Sequence, residues 1–218
     1  MRAILNQRTH TGVSVQTLHP TKFDHGTVLA QTPLPGYRIE DSDVHQSLSM
    51  KLQYEGAVLL RGVIINELFL PPLVPITHTE EEIHQITNGQ GLAKAPKITK
   101  ADSCINFATM TADNILAMKR ISMVVWDDNL LHQLGHREHK RVIFHALKAF
   151  DPPLSEADNS RDLTPGVPFH FDNKTFPAPL VIPTKDGKLL CIDDCTIEGQ
   201  RTGHGAAWIS RLLERKTA

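Results

Sequence analysis

Cysteine is scarce in this 218-residue chain. Cys104, Cys191 and Cys195 are an odd set with no Cys-x-x-Cys, which excludes a disulfide framework. Cys191 and Cys195 would supply at most half of a zinc site, so they read as reduced thiols in a strand and its flank, in a reducing compartment. Long apolar runs are missing too: none approaches the ~20 residues that span a bilayer. No secretory signal pattern is present. The opening Met1-Arg-Ala-Ile-Leu-Asn is too short for a transit peptide. It reads as the end of a helix, the expectation for a chain whose upstream part is missing. A charge excess of one sign is also lacking. The net charge is −1, which removes the global basic signature of a nucleic-acid binder. The charge is uneven, however. Up to Leu92 there are 6 Lys and Arg against 9 Asp and Glu, and from Ala93 onward 17 against 15. A local basic face in the second part is compatible with this shift from −3 to +2.

What is present suits a globular protein. Hydrophobic residues make up 40% and charged residues 22%. Residues 13–17 are β-branched and read as a strand, Phe23-Asp24-His25-Gly26 as a turn, and 27–32 as a returning strand ended by Pro33 and Pro35. Asp41, Ser42 and Asp43 are N-cap candidates for a helix carrying Val44, Leu48 and Leu52 on one face. A second helix is expected over 55–68 with Ala57, Leu60, Ile64 and Leu68 inward, closed by Pro71, Pro72 and Pro75. The polar stretch around Asn88-Gly89 and Gly91 marks a boundary. Beyond it, Thr111 caps a helix with Ile115, Leu116 and Met118. Strands are expected over 123–126, 142–150, 180–182, 189–192 and 196–197, a surface loop over 152–168, and a closing helix over 206–214 with Ile209, Leu212 and Leu213 inward. Asp186-Gly187 is a hairpin turn signal.

Several residues have chemistry to weigh. Asp24, between a strand and a glycine, either orients a water or an imidazole or simply supports its own turn. His132, His136 and His139 would share a helical face, but Gly135 weakens a helix there and no carboxylate motif accompanies them, so no metal is expected. Lys94, Lys97 and Lys100 form a basic stripe that is either a solvated linker or a phosphate contact.

The run Thr11-Gly-Val-Ser-Val-Gln-Thr-Leu-His-Pro-Thr-Lys-Phe-Asp-His-Gly-Thr-Val-Leu resembles a segment of the methionyl-tRNA formyltransferases: Thr-Gly-Val-Thr, strand, loop, Asp-x-Gly, strand. Its Lys-Phe-Asp-x-Gly form is similar to the mitochondrial branch. Ala95-Pro-Lys-Ile-Thr-Lys-Ala-Asp-Ser-Cys-Ile-Asn-Phe looks like the entry to that family's C-terminal barrel, and Ile-Glu-Gly-Gln-Arg-Thr-Gly-His-Gly-Ala-Ala-Trp resembles its closing strand, turn and last helix. The resemblance covers nearly the whole chain in order, and matches poorly over 122–141.

The resemblance implies an α+β, multidomain chain. A C-terminal remnant of an α/β, Rossmann-like formyltransferase domain would occupy 1–78, a linker 79–92, and an OB-like β-barrel that binds tRNA 93–218. It implies an enzyme family that moves a formyl group from 10-formyltetrahydrofolate to the amine of initiator methionyl-tRNA in the mitochondrial matrix, as a monomer without metal or membrane. Asp24 falls on the family's catalytic aspartate. His19, Pro20 and Gly26 fall on the folate side, and Lys94, Lys97, Lys100 and Arg201 on the tRNA side. The family's Asn-x-His and its Ser-Leu-Leu-Pro loop have no counterpart, and no Asn-x-His occurs anywhere in the chain. The 218 residues alone are therefore expected to be inactive. Two alternatives remain open: a non-catalytic tRNA-binding remnant, and another folate-dependent formyltransferase or hydrolase. If partner strands are missing, Val13, Val15, Val28 and Leu29 are expected to lack cover.

Overall fold

The computed structural model describes residues 1–22, 25–87, 95–122, 124–136, 138–151, 163–171 and 180–217. The chain divides into two compact units, Met1–Lys97 and Ile98–Ala218. The Asn88-Gly89 turn and most of the loop expected over 152–168 lie outside the described residues.

In the first unit, α1 (Arg2–Leu5) buries Ile4 and leads into β1 (His10–Thr11), which pairs antiparallel with β4 (Tyr37–Arg38). A second antiparallel pair joins β2 (Ser14–Gln16) to β3 (Val28–Gln31), with a register shift at Val15/Gln16. Helix α2 (His45–Ile65) packs on both β2 and β3. It runs unbroken through Gly56, where two helices were expected. That glycine sits where a Cβ would come within 3.3 Å of Val13 Cγ1, so its missing side chain lets the hairpin approach the helix. The expected inward face also differs. Leu48 is buried as expected and Val63 is buried with it, whereas Leu60, Ile64 and Leu68 are exposed, as are Met50, Tyr54 and Val58. The helix is apolar on more than one face, so its periodicity does not tell which face is covered. Because α2 lies over the hairpin, Leu29 is buried and Val13, Val15 and Val28 are half-buried. Helix α3 (Glu80–Thr87) occupies part of the stretch read as linker. Arg8 Nη1 reaches the Thr87 carbonyl at 3.5 Å.

The start of α2 is tied down by Asp43. Its carboxylate is buried and accepts the Glu40 N–H (3.0 Å), the Ser47 hydroxyl (3.2 Å) and the Lys51 ammonium (2.6 Å). The Lys51 hydrogen bond holds the Asp43 pKa below the usual carboxylate range, against the opposing effect of burial.

The second unit is built on an antiparallel sheet in the order β5 (Val125–Asp127), β6 (Val142–Phe150), β9 (Leu189–Ile197), β8 (Leu180–Pro183), β7 (Phe169–His170). The described ladders do not pair β5 with β7. The central strands are apolar on the covered face, with Val125, Val142, Phe144, Val181, Leu190, Cys195 and Ile197 fully buried. The strand expected to break near Asp193-Asp194 is continuous as β9. Asp193 is paired across the ladder with Lys148 at 2.9 Å, and a register irregularity beside Ala146 and Asp194 absorbs the interruption.

Helices flank this sheet. In α4 (Ala112–Ile121) Thr111 caps the first turn by accepting the Asn114 N–H at 3.3 Å. The Ala112 N–H is taken by Asp186 at 3.0 Å, so the β8–β9 turn, with Gly187 at φ +76, also anchors α4. Asp127 caps α5 (Leu130–Gln133) by accepting the N–H groups of Asn129 (2.6 Å) and Leu130 (2.8 Å). Burial pushes its pKa up despite these bonds. Helix α6 (Gly205–Thr217) closes the unit, with Ile209 fully buried against it. Gly205 rests so close to β9 that a Cβ would lie 2.7 Å from the Cys195 carbonyl oxygen.

Candidate functional site

The first candidate site is the loop between β2 and β3. Its two ends are clamped. The Thr17 N–H donates to the Thr27 carbonyl and the Thr27 N–H to the Thr17 hydroxyl, both at 2.9 Å. Gly26 lies directly against Thr17, where a Cβ would run into the Thr17 carbonyl oxygen. Glycine is thus needed here for close backbone approach. Within the loop His19 Nδ1 accepts the N–H groups of Thr21 (3.2 Å) and Lys22 (3.1 Å), which places the hydrogen of its neutral ring on Nε2. His25 meets His19 edge to face, ring centroids 6.3 Å apart. His19, Pro20 and His25 are exposed. Asp24, the expected catalytic residue, lies outside the described residues, as does Phe23. The structure thus brings His19, Pro20 and Gly26 into one clamped loop. It also adds His25, which the sequence reading passed over although it adjoins Asp24.

The basic candidates fall separately. Lys97 is exposed at the end of the first unit, and the carbonyls of Pro96 and Lys97 are held by Arg2 at 2.9 and 2.7 Å. Lys100 is exposed in a 3-10 turn, Lys100–Ser103. Lys94 lies outside the described residues. Arg201 is exposed in the turn before α6 and lines a recess of 230 Å³ with Gln200, His204, Trp208 and Arg211. Of these, only Arg201 was singled out from sequence. The signal for the rest was the helical spacing of His204, Trp208 and Arg211, which puts them on one face of α6.

The remaining sequence candidates separate as well. His132 and His139 stack with centroids 5.1 Å apart, while His136 turns to meet the Trp208 ring edge to face at 5.3 Å. Among the described residues no group of three or more His, Cys, Asp or Glu is placed to hold a metal ion. Burial pushes the Cys191 thiol up to about 11 and the Cys195 thiol up to about 12, so both are unreactive thiols of the sheet. Among the described residues no helix is long and apolar enough to cross a membrane.

Comparison with known proteins places this geometry in context. No family model matches the chain. The chain is 24% identical to the mitochondrial methionyl-tRNA formyltransferase of Saccharomyces cerevisiae over 98% of its own length and 55% of that protein. It is 29% identical to a putative methionyl-tRNA formyltransferase of Schizosaccharomyces pombe over 56% of its length and 39% of that protein. The Bos taurus mitochondrial enzyme is 27% identical over 62% of this chain and 33% of its own. The chain therefore spans about half or less of the length of these relatives. Among solved structures, a variant of HypX from Aquifex aeolicus shares the fold at a TM-score of 0.53 and 12% identity, over 98% of this chain and 33% of that one. The sequence matches, several of them mitochondrial forms, support assignment of this chain to the methionyl-tRNA formyltransferase family.

Proposed function

We propose that this chain serves the formylation of initiator methionyl-tRNA in the mitochondrial matrix, with 10-formyltetrahydrofolate as the formyl donor. The observation that supports this best is the match to a mitochondrial methionyl-tRNA formyltransferase along 98% of the chain. In this reading residues 1–78 are the C-terminal part of a catalytic domain and 79–92 a connection. Residues 93–218 are an OB-like barrel, whose five-stranded sheet supplies the tRNA-facing surface.

The methionyl amine would attack the formyl carbon while negative charge develops on the formyl oxygen, after which the bond from that carbon to the folate nitrogen breaks and tetrahydrofolate leaves carrying the proton lost by the amine. Asp24 is the residue proposed to orient a catalytic imidazole and to help move the amine proton. His19, Pro20 and Gly26 form the wall on the folate side. Lys94, Lys97, Lys100 and Arg201 contact tRNA phosphates, which position the acceptor arm without reading sequence. The family's oxyanion donors, the Asn and His of Asn-x-His, have no counterpart among these 218 residues. Loss of one such donor costs ~10²–10³ in rate. The reading therefore assigns no measurable turnover to these residues by themselves, acting as a monomer.

The test is a formylation assay with 10-formyltetrahydrofolate and charged initiator tRNA, run beside the Saccharomyces cerevisiae relative. No product is expected from the chain, together with salt-dependent tRNA binding that Lys97→Ala plus Lys100→Ala weakens. Turnover near that of the relative would overturn the inactivity, and absence of tRNA binding at low salt would overturn the assignment of the second unit.

A further inference from the structure

The recess at the start of α6 holds a set of groups that the phosphate-contact reading does not use. Trp208 is half-buried and its ring meets that of His136 edge to face, centroids 5.3 Å apart. Arg201 and Arg211 flank it, both exposed, and neither has an ion-pair partner among the described residues. Gln200 and His204 complete the wall, and no carboxylate lines it. The helix presents this face because an adjoining one is committed. Gly205 is pressed on Cys195 and Ile209 is fully buried, and positions 204, 208 and 211 lie about 110° round the helix from them, on a neighbouring face.

We infer that this recess binds one unpaired nucleotide of an RNA strand, with its base stacked on Trp208 and its phosphates held by Arg201 and Arg211. The inference rests on the tRNA-binding reading for its biological source and adds a stacking site to it. Three physical points carry it. A half-exposed indole offers sequence-tolerant stacking, since every base has a π-face. Two guanidiniums without carboxylate partners suit bidentate contact with phosphate. A volume of 230 Å³ falls below the ~300–1,000 Å³ of sites that enclose a drug-sized molecule, and fits a single ring with its phosphate. Gln200 adds an amide able both to donate to and to accept from a base edge.

The chain has two tryptophans, Trp126 and Trp208, so Trp126→Phe leaves Trp208 as the sole emitter. The full chain carrying that change is titrated with a short single-stranded RNA, with a blunt RNA duplex and with inorganic tripolyphosphate. Strong quenching by the single strand is expected, with little from the duplex or the tripolyphosphate. Arg201→Ala with Arg211→Ala should weaken the response at least tenfold, and Trp208→Leu should weaken single-strand binding by about tenfold, within the range of one lost stacking contact. The two arginines are exposed, so their double variant retains the fold even if Trp208→Leu does not. Equal quenching by tripolyphosphate, or an unchanged response in the arginine variant, overturns the inference. Charged tRNA separates the two readings. Tight tRNA binding that ignores all three substitutions removes the stacking site and leaves the tRNA reading. Single-strand quenching without tRNA binding does the reverse.

Discussion

Asp43 is the residue whose loss should reveal how the first unit is held together. Its buried carboxylate gathers the Glu40 N–H, the Ser47 hydroxyl and the Lys51 ammonium at the start of α2, the helix that covers the β2–β3 hairpin. Asp43→Ala removes three hydrogen bonds and leaves the Glu40 N–H without its acceptor. The lost Ser47 hydrogen bond is worth about 1 kcal/mol, and the part-buried Glu40 N–H left without this acceptor costs about 1–3 kcal/mol. The ammonium of Lys51 can turn to water, since that side chain is 40% exposed, so its share is discounted. A total of about 2–4 kcal/mol results. Asp43→Asn keeps the shape and one acceptor oxygen, and should cost less. Lys51→Met should cost least, and the double variant Asp43→Ala, Lys51→Met should lose less than the sum of the two. The readout is urea unfolding followed by far-UV circular dichroism, with amide exchange across α2. The pH dependence has a definite sign. Asp43 is held below the usual range in the folded chain, so its contribution is complete above the unfolded carboxylate pKa, roughly 4. It disappears as pH falls through the lower folded value. The gap between the wild-type chain and Asp43→Asn should therefore close under acid. An Asp43→Ala chain with an unchanged midpoint and unchanged α2 exchange, or a gap that widens as pH falls, refutes the reasoning.

Two further outcomes follow from the described geometry. Gly26→Ala should open the clamp between Thr17 and Thr27, because a Cβ has no room against the Thr17 carbonyl. Two hydrogen bonds at about 0.5–1.5 kcal/mol each are at stake, and faster amide exchange at Thr17 and Thr27 is the measurement, with unaltered exchange as the contrary result. A thiol reagent near neutral pH should label Cys104 and spare Cys191 and Cys195 until the chain is unfolded, because burial raises the latter two thiols to about 11 and about 12. Since those thiols ionise more readily unfolded, the stability they lend is complete below roughly pH 8.5 and is lost as pH rises further, so a stability that climbs in alkali would contradict this.

Local chemistry was legible from the sequence wherever one short segment settles its own conformation. Strand 142–150 emerged with its expected bounds because its residues are strand formers in an unbroken run. Thr111 capped α4 and Asp186-Gly187 turned β8 into β9, since a hydroxyl three residues from an N–H and a glycine at positive φ act over only a few residues. The ordered motifs that point to the methionyl-tRNA formyltransferases were legible for the same reason. What the sequence left undecided depends on distant neighbours. A second helix was expected to start at residue 55, yet α2 runs through, and Gly56 within it serves as a contact with Val13, more than forty positions away in the chain. The apolar face of α2 carrying Leu60 and Ile64 looked like the inner one, yet the hairpin covers the face of Leu48 and Val63. The Asp193-Asp194 pair looked like a strand end until Lys148 arrived across the ladder. The recess of Trp208, Arg201 and Arg211, with His136 brought in from over seventy residues away, exists only once α6 is laid on β9. Periodicity says that a side chain has a face, and only packing says what that face meets.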